Sequence, residues 1–216
     1  MPRHPLRLLV LVALPCLVRA ALAGPIECRT GKTEFLAGTS AHPGTRYATA
    51  TGMTVAPPAQ PAADWTLQRC NSTTIFFAHA DVPGKQYVTA MVSDVGVAPW
   101  SDEQAFEAVI QDVVTRSDLP IQHMKIDAKA ASTVDGRPCL DLHRSGTVDA
   151  VMTSEGKLAG PLPSREFIRA CHLRDKRGPE ASVLVIYKVV GQHDMPGFDD
   201  AAKAYIDGVN LPPWVH

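Results

Sequence analysis

The chain has 216 residues, 45% of them apolar, with 21 Lys and Arg against 22 Asp and Glu for a net charge of −1. So even a balance gives no basic stripe for nucleic acid and no acidic block for a disordered tail, and neither is expected. The length and apolar fraction suffice for one core, so a single domain is the default.

Arg3 and Arg7 open the chain with positive charge, residues 8–18 form a short apolar run, and Ala21-Leu22-Ala23 supplies a small-x-small cleavage pattern. This is the order of a secretory signal spanning residues 1–23. The run is shorter than the roughly 20 residues a bilayer span needs, so no transmembrane segment is expected after cleavage. Removing Arg3, Arg7 and Arg19 would shift the net charge from −1 to −4. Cys16 would leave too, and the four remaining cysteines form an even set suited to an oxidising, secreted or periplasmic setting.

Residues 24–64 read as an extended N-terminal segment. Pro57, Pro58 and Pro61 punctuate it, and the alternation of Tyr47, Thr49, Thr51, Met53 and Val55 predicts one short strand. A single α+β domain is expected over 65–216. Residues 72–80 and 86–95 are rich in branched and aromatic side chains and flank Asp81-Val82-Pro83-Gly84, which predicts two strands and a turn. Phe106, Val109, Ile110, Val113 and Val114 recur at helical spacing after a Ser101 capping box, predicting a first helix. Strands follow over 121–132, 137–147, 164–174 and 181–190, with a turn at Asp135-Gly136. Phe198, Ala201, Ala202, Tyr205 and Val209 predict a closing helix over 197–209. This order predicts an antiparallel sheet covered by two amphipathic helices, not a doubly wound nucleotide-binding fold.

Four cysteines allow three connectivities. The favoured pairing is Cys28 with Cys70, stapling the N-terminal segment to the domain, and Cys139 with Cys171, linking two predicted strands. On strand alternation Cys139, Asp141 and His143 share one face, and a Cys139–Cys171 bridge would set Asp141 against Arg169 as a cross-strand ion pair. Asp141, His143 and His172 are the first residues to inspect for catalysis, though no nucleophile accompanies them. No Cys-x-x-Cys or His-Glu-x-x-His spacing points to a metal, no motif points to a cofactor, and no Gly-x-Ser-x-Gly elbow points to a hydrolase.

Pro61-Ala62-Ala63-Asp64-Trp65, two strands, the Phe106-bearing helix, a Val134-Asp135-Gly136-Arg137 hairpin, two later strands and the Phe198-bearing helix make an ordered series. It resembles the PsbP-like fold, an α/β/α sandwich shared by a photosystem extrinsic subunit, a Ran-binding nuclear transport factor and many exported bacterial proteins. The resemblance implies a non-catalytic binding or accessory module and carries over no site residue. The leading expectation is therefore an exported, disulfide-stapled module that binds another protein or envelope component, marked by an exposed apolar patch. The alternatives are a small secreted hydrolase whose site forms only on folding, and a periplasmic inhibitor or immunity protein marked by a protruding loop.

Overall fold

Period-two alternation of branched and aromatic residues builds most of the chain into strands. The computed structural model describes residues 24–28, 39–61, 64–81, 86–95, 122–153, 156–173, 181–191 and 194–213. Its strands are β1 (Ile26–Glu27), β2 (Thr39–Ala41), β3 (Tyr47–Ala48), β4 (Thr54–Val55), β5 (Trp65–Cys70), β6 (Thr74–Asp81) and β7 (Gln86–Asp94). After these come β8 (Gln122–Val134), β9 (Arg137–Thr153), β10 (Gly156–Leu173) and β11 (Ala181–Gly191), and then the helix α1 (Phe198–Asp207). Eight strands form one sheet in the order β2-β5-β6-β7-β11-β10-β9-β8, antiparallel throughout, and β1-β3-β4 form a small second sheet.

The expected α+β sandwich, a sheet covered by two amphipathic helices, is corrected here: the chain is mostly β, and α1 is the one helix among the described residues. The expected helix bearing Phe106 lies outside them, as do residues 1–23. The sheet content exceeds the expectation because β9 runs six residues past Thr147 and β10 begins eight residues before Ser164. Gly160, Pro161 and Pro163 look like breakers in sequence, yet the strand absorbs them at an irregularity between Ala159 and Leu162. The single strand expected over 47–55 is instead the pair β3 and β4, because Gly52 turns the chain at φ +87° and the Thr49 hydroxyl accepts from the Met53 amide at 3.1 Å.

The type I′ geometry expected of Asp-Gly is present between β8 and β9, where Asp135 and Gly136 have φ of 50° and 79°. That turn sets the register of β9, and β10 then pairs so that Cys139 faces Cys171, Asp141 faces Arg169 and His143 faces Phe167. Disulfides join Cys139 to Cys171 and Cys28 to Cys70.

α1 lies over the face that carries these three pairs. Its Phe198, Ala202, Tyr205 and Ile206 pack with Phe167, Val185 and Tyr187 of the sheet and with Met53, Val55 and Trp65 of the N-terminal part in one buried cluster. The small and large sheets therefore share a core. The opposite face is buried as well, around Leu142, Ile168 and Leu184. Across it Arg144, Glu166 and Lys188 form a row in direct register on β9, β10 and β11, all less than 9% exposed. Arg144 Nη1 lies 3.1 Å from Glu166 Oε1, close enough for an ion pair but without hydrogen-bond alignment. Burial pulls the Lys188 ammonium below its usual range, with Glu166 opposing that shift and Arg144 adding to it.

Candidate functional site

Of the residues nominated from sequence, Asp141 and His143 sit under α1 and His172 does not. Asp141 accepts two hydrogen bonds from Arg169, at 2.7 Å from Nε and 2.9 Å from Nη2. The Arg169 Nη1 donates to Asp207 of α1 at 2.7 Å, so one guanidinium ties β9, β10 and the helix together. His143 stacks on Phe167 with centroids 4.2 Å apart, and its Nδ1 stands 4.0 Å from Asp199, beyond hydrogen-bond reach. Asp199 is instead engaged by the Arg165 Nη2 at 3.1 Å. His172 lies opposite Ser182 and, next to Cys171 on the same strand, falls on the other face of the sheet. The structure thus does not bring Asp141, His143 and His172 together around a reacting centre.

A cleft does form elsewhere, between residues 55–60 and α1, with a volume of about 460 Å³. One wall is the proline-rich segment, an extended run because proline fixes its own φ and keeps its neighbour out of the helical region. The sheet holds that wall in place. The Tyr187 hydroxyl donates to the Gln60 carbonyl at 2.8 Å, and the Trp65 indole donates to the Pro61 carbonyl at 3.3 Å.

The other wall is α1 and the Gly208 that caps it, where the small residues Ala201, Ala204 and Gly208 leave room. At one end the walls are tied together by reciprocal backbone bonds between Thr54 and Asn210, each 2.9 Å, and by Arg46. Its Nη2 donates to the carbonyls of Thr54 at 3.2 Å and Gly208 at 3.1 Å. Arg137, buried in the core, donates to the Pro212 carbonyl and fixes the segment that leaves the helix.

Two residues that line the cleft carry buried, unsatisfied polar atoms. The Tyr205 hydroxyl is fully buried and has no hydrogen-bond partner, and the Arg46 Nε has none either. Burial pushes the Tyr205 phenol well above its usual range, so it stays protonated and able to donate. A buried polar group with no partner costs roughly 1 to 3 kcal/mol. Asp200, an exposed residue, also lines the cleft. The polar side chains among the described residues lining the cleft are those of Arg46, Gln60, Asp200 and Tyr205, an arrangement suited to holding a molecule by shape and a few polar contacts.

No group of three His, Cys, Asp or Glu positioned for a metal occurs among the described residues. No helix among them is long and apolar enough to cross a membrane. The contiguous apolar patch expected of a partner surface is not among them either: the exposed large hydrophobics are Ile26 and Ile126, one on each sheet.

No protein-family model matches this chain, and no curated protein matches it. Among solved structures the chain is similar to the crystal structure of LpqN, described as involved in cell envelope biogenesis of Mycobacterium tuberculosis. The identity is 14%, the likeness covers 80% of this chain and 87% of that one, and the TM-score is 0.43. A likeness at that level carries no functional argument.

Sequence reasoning missed the cleft because its walls are built from proline, alanine and glycine, which announce no chemistry. The available signal was the conjunction of Pro57-Pro58 with a helix carrying small residues at 201, 204 and 208, three and four positions apart on one face.

Proposed function

We propose that this chain is an exported, disulfide-stabilised binding or accessory module of the cell envelope or secreted space, and that the cleft between residues 55–60 and α1 receives what it binds. The cleft carries the reading: about 460 Å³ walled by small apolar residues and underlain by a buried, partnerless Tyr205 hydroxyl. Export is supported by the two disulfides, which persist in oxidising compartments, and by the signal-like order of residues 1–23.

The test uses anilinonaphthalene sulfonate, whose rings suit the apolar walls and whose sulfonate suits Arg46. Its fluorescence should rise on binding the oxidised protein and fall back at least about tenfold in affinity when Ala204→Trp fills the cleft, with both disulfides and the thermal midpoint retained. Equal binding by the two proteins, or none by either, ends the reading.

A second reading, a periplasmic inhibitor or immunity protein, is favoured by one observation. Beyond Val148 and Leu162, strands β9 and β10 pair only with each other among the described residues, as a two-stranded arm running from Ala150–Ala159 to Thr153–Gly156. Such an arm is marginal on its own in water and suits insertion into a partner.

A further inference from the structure

Arg46 lines the cleft beside the Gly208 that caps α1, and its charge is not met there. All of its hydrogen bonds leave from Nη2 and end on neutral oxygens: the Thr54 carbonyl, the Thr54 hydroxyl and the Gly208 carbonyl. Nε is buried without a partner, whereas Nη1, also without one among the described residues, is not a buried atom and stays open. No carboxylate among the described residues lies within ion-pair distance of this half-buried guanidinium. A cation held only by neutral acceptors and keeping one open donor nitrogen suits a singly charged anionic head, whose hydrogen bond would be charge-assisted on both sides.

The remainder of the cleft describes the body attached to that head. Pro57 and Pro58 have no N–H to offer, α1 spends its own on the helix ladder, and the Gln60 carbonyl is taken by Tyr187. A peptide lying here would leave its backbone groups short of partners, a cost that a hydrocarbon chain does not incur. From Gly197 to Gly208 the lining residues of the helix are spaced three and four apart, so the groove follows the helix axis for roughly 16 Å. Asp200, exposed and without an ion-pair partner among the described residues, repels an anion toward the far end. The head is therefore placed at Arg46, and a tail of about ten carbons covers the roughly 12 Å from Gly208 back to Asp200.

The geometry points to a straight-chain monocarboxylate as the ligand class of this cleft, with its carboxylate on Arg46 Nη1 and its alkyl tail between Pro57, Pro58, Ala201 and Ala204. This rests on the cleft being the binding site.

Isothermal titration calorimetry on the oxidised protein, with hexanoate, octanoate, decanoate and 1-decanol below their aggregation limits, tests the assignment. Affinity should tighten about threefold to fourfold for each added CH₂ up to about ten carbons and then level off. Decanol should bind at least about tenfold more weakly than decanoate, the reverse of what a merely greasy site would do. Arg46→Gln should erase that preference, and Ala204→Trp should abolish decanoate binding. The acid–alcohol comparison needs only the parent protein, so it decides even where a substitution at Arg46 upsets the fold. Decanol matching decanoate, affinity indifferent to chain length or to Ala204→Trp, a preference that survives Arg46→Gln, or tighter binding by an N-acetylated tripeptide of alanine and valine overturns the proposal. If the anilinonaphthalene dye is still displaced by Ala204→Trp in that event, the cleft keeps its role and loses only this ligand class; if the dye never binds, both readings fall.

Discussion

Arg169 shows how a single residue joins levels of the structure. Its guanidinium is planar with donors in a fixed fork, which meets Asp141 at two points across the strand pair and leaves a third donor for Asp207 on the helix. Asp207 also accepts from Lys203 one turn back at 2.6 Å. Burial pushes the Asp207 carboxyl upward, but the hydrogen bonds from Lys203 and Arg169 outweigh it and hold the group below the ordinary 3.8. A carboxyl depressed on folding contributes stability above its unfolded pKa and loses it as pH falls through the folded value. The helix should therefore loosen below about pH 4. Urea midpoints at pH 6 and pH 3 should show a smaller acid loss in Asp207→Asn than in the parent, the difference being about 1 kcal/mol or less for a half-exposed pair. An identical acid loss in both proteins would remove Asp207 from the linkage.

The cross-strand meeting of Asp141 and Arg169 was legible because strand alternation and one bridge fix it. Tyr205 was not, since nothing in the sequence says that an apolar-stripe tyrosine will lack a partner for its hydroxyl.

At the scale of elements, the limits of sequence reading lie in the β8–β9–β10 region. The Asp135-Gly136 turn and the apolar stripe of α1 announce themselves locally, and both occur in the structure. The full length of β9 and β10 does not, because Gly146, Gly160 and Pro161 carry the local signature of loops while the ladder across them is set by neighbouring strands. Gly146 has a different reason to be glycine: a Cβ there would lie 1.9 Å from the His123 carbonyl oxygen, so β8 crosses β9 too closely for any side chain. Gly146→Ala should push β8 off β9 at its N-terminal end. Hydrogen exchange should then speed up in the amides of residues 122–126 by at least about tenfold while those of 129–134, nearer the Asp135-Gly136 turn, keep their protection. Uniform protection along β8 would mean that the strands can separate at that point without cost. The helix expected over Phe106 lies outside the described residues, so the two-helix sandwich failed on the extent of the strands.

On the scale of the whole molecule, the N-terminal segment is less an approach to the domain than a part of its core. Cys28, Tyr47, Met53 and Val55 are buried with Trp65, Phe77 and Phe198 in one cluster. The Cys28–Cys70 bridge spans 42 residues, and in the chain-entropy model a loop of that size contributes about 3 to 4 kcal/mol. Replacing both cysteines with serine should lower the denaturation free energy by that order. The proline-rich wall of the cleft lies inside this loop, so probe affinity should fall with it. Loss of stability without loss of probe binding would separate the wall from the bridge.

The same bridge also governs how the protein would bear tension. A force applied near Gly24 reaches Cys28 within a few residues and passes through a covalent bond into β5, bypassing the 42-residue loop that contains β3, β4 and the proline-rich cleft wall. Stretched from that end in an oxidising medium, the protein should release a contour shorter by roughly 140 to 150 Å than it does under reductant. The bridge thus acts as a strain limiter for residues 28–70, which include one wall of the cleft.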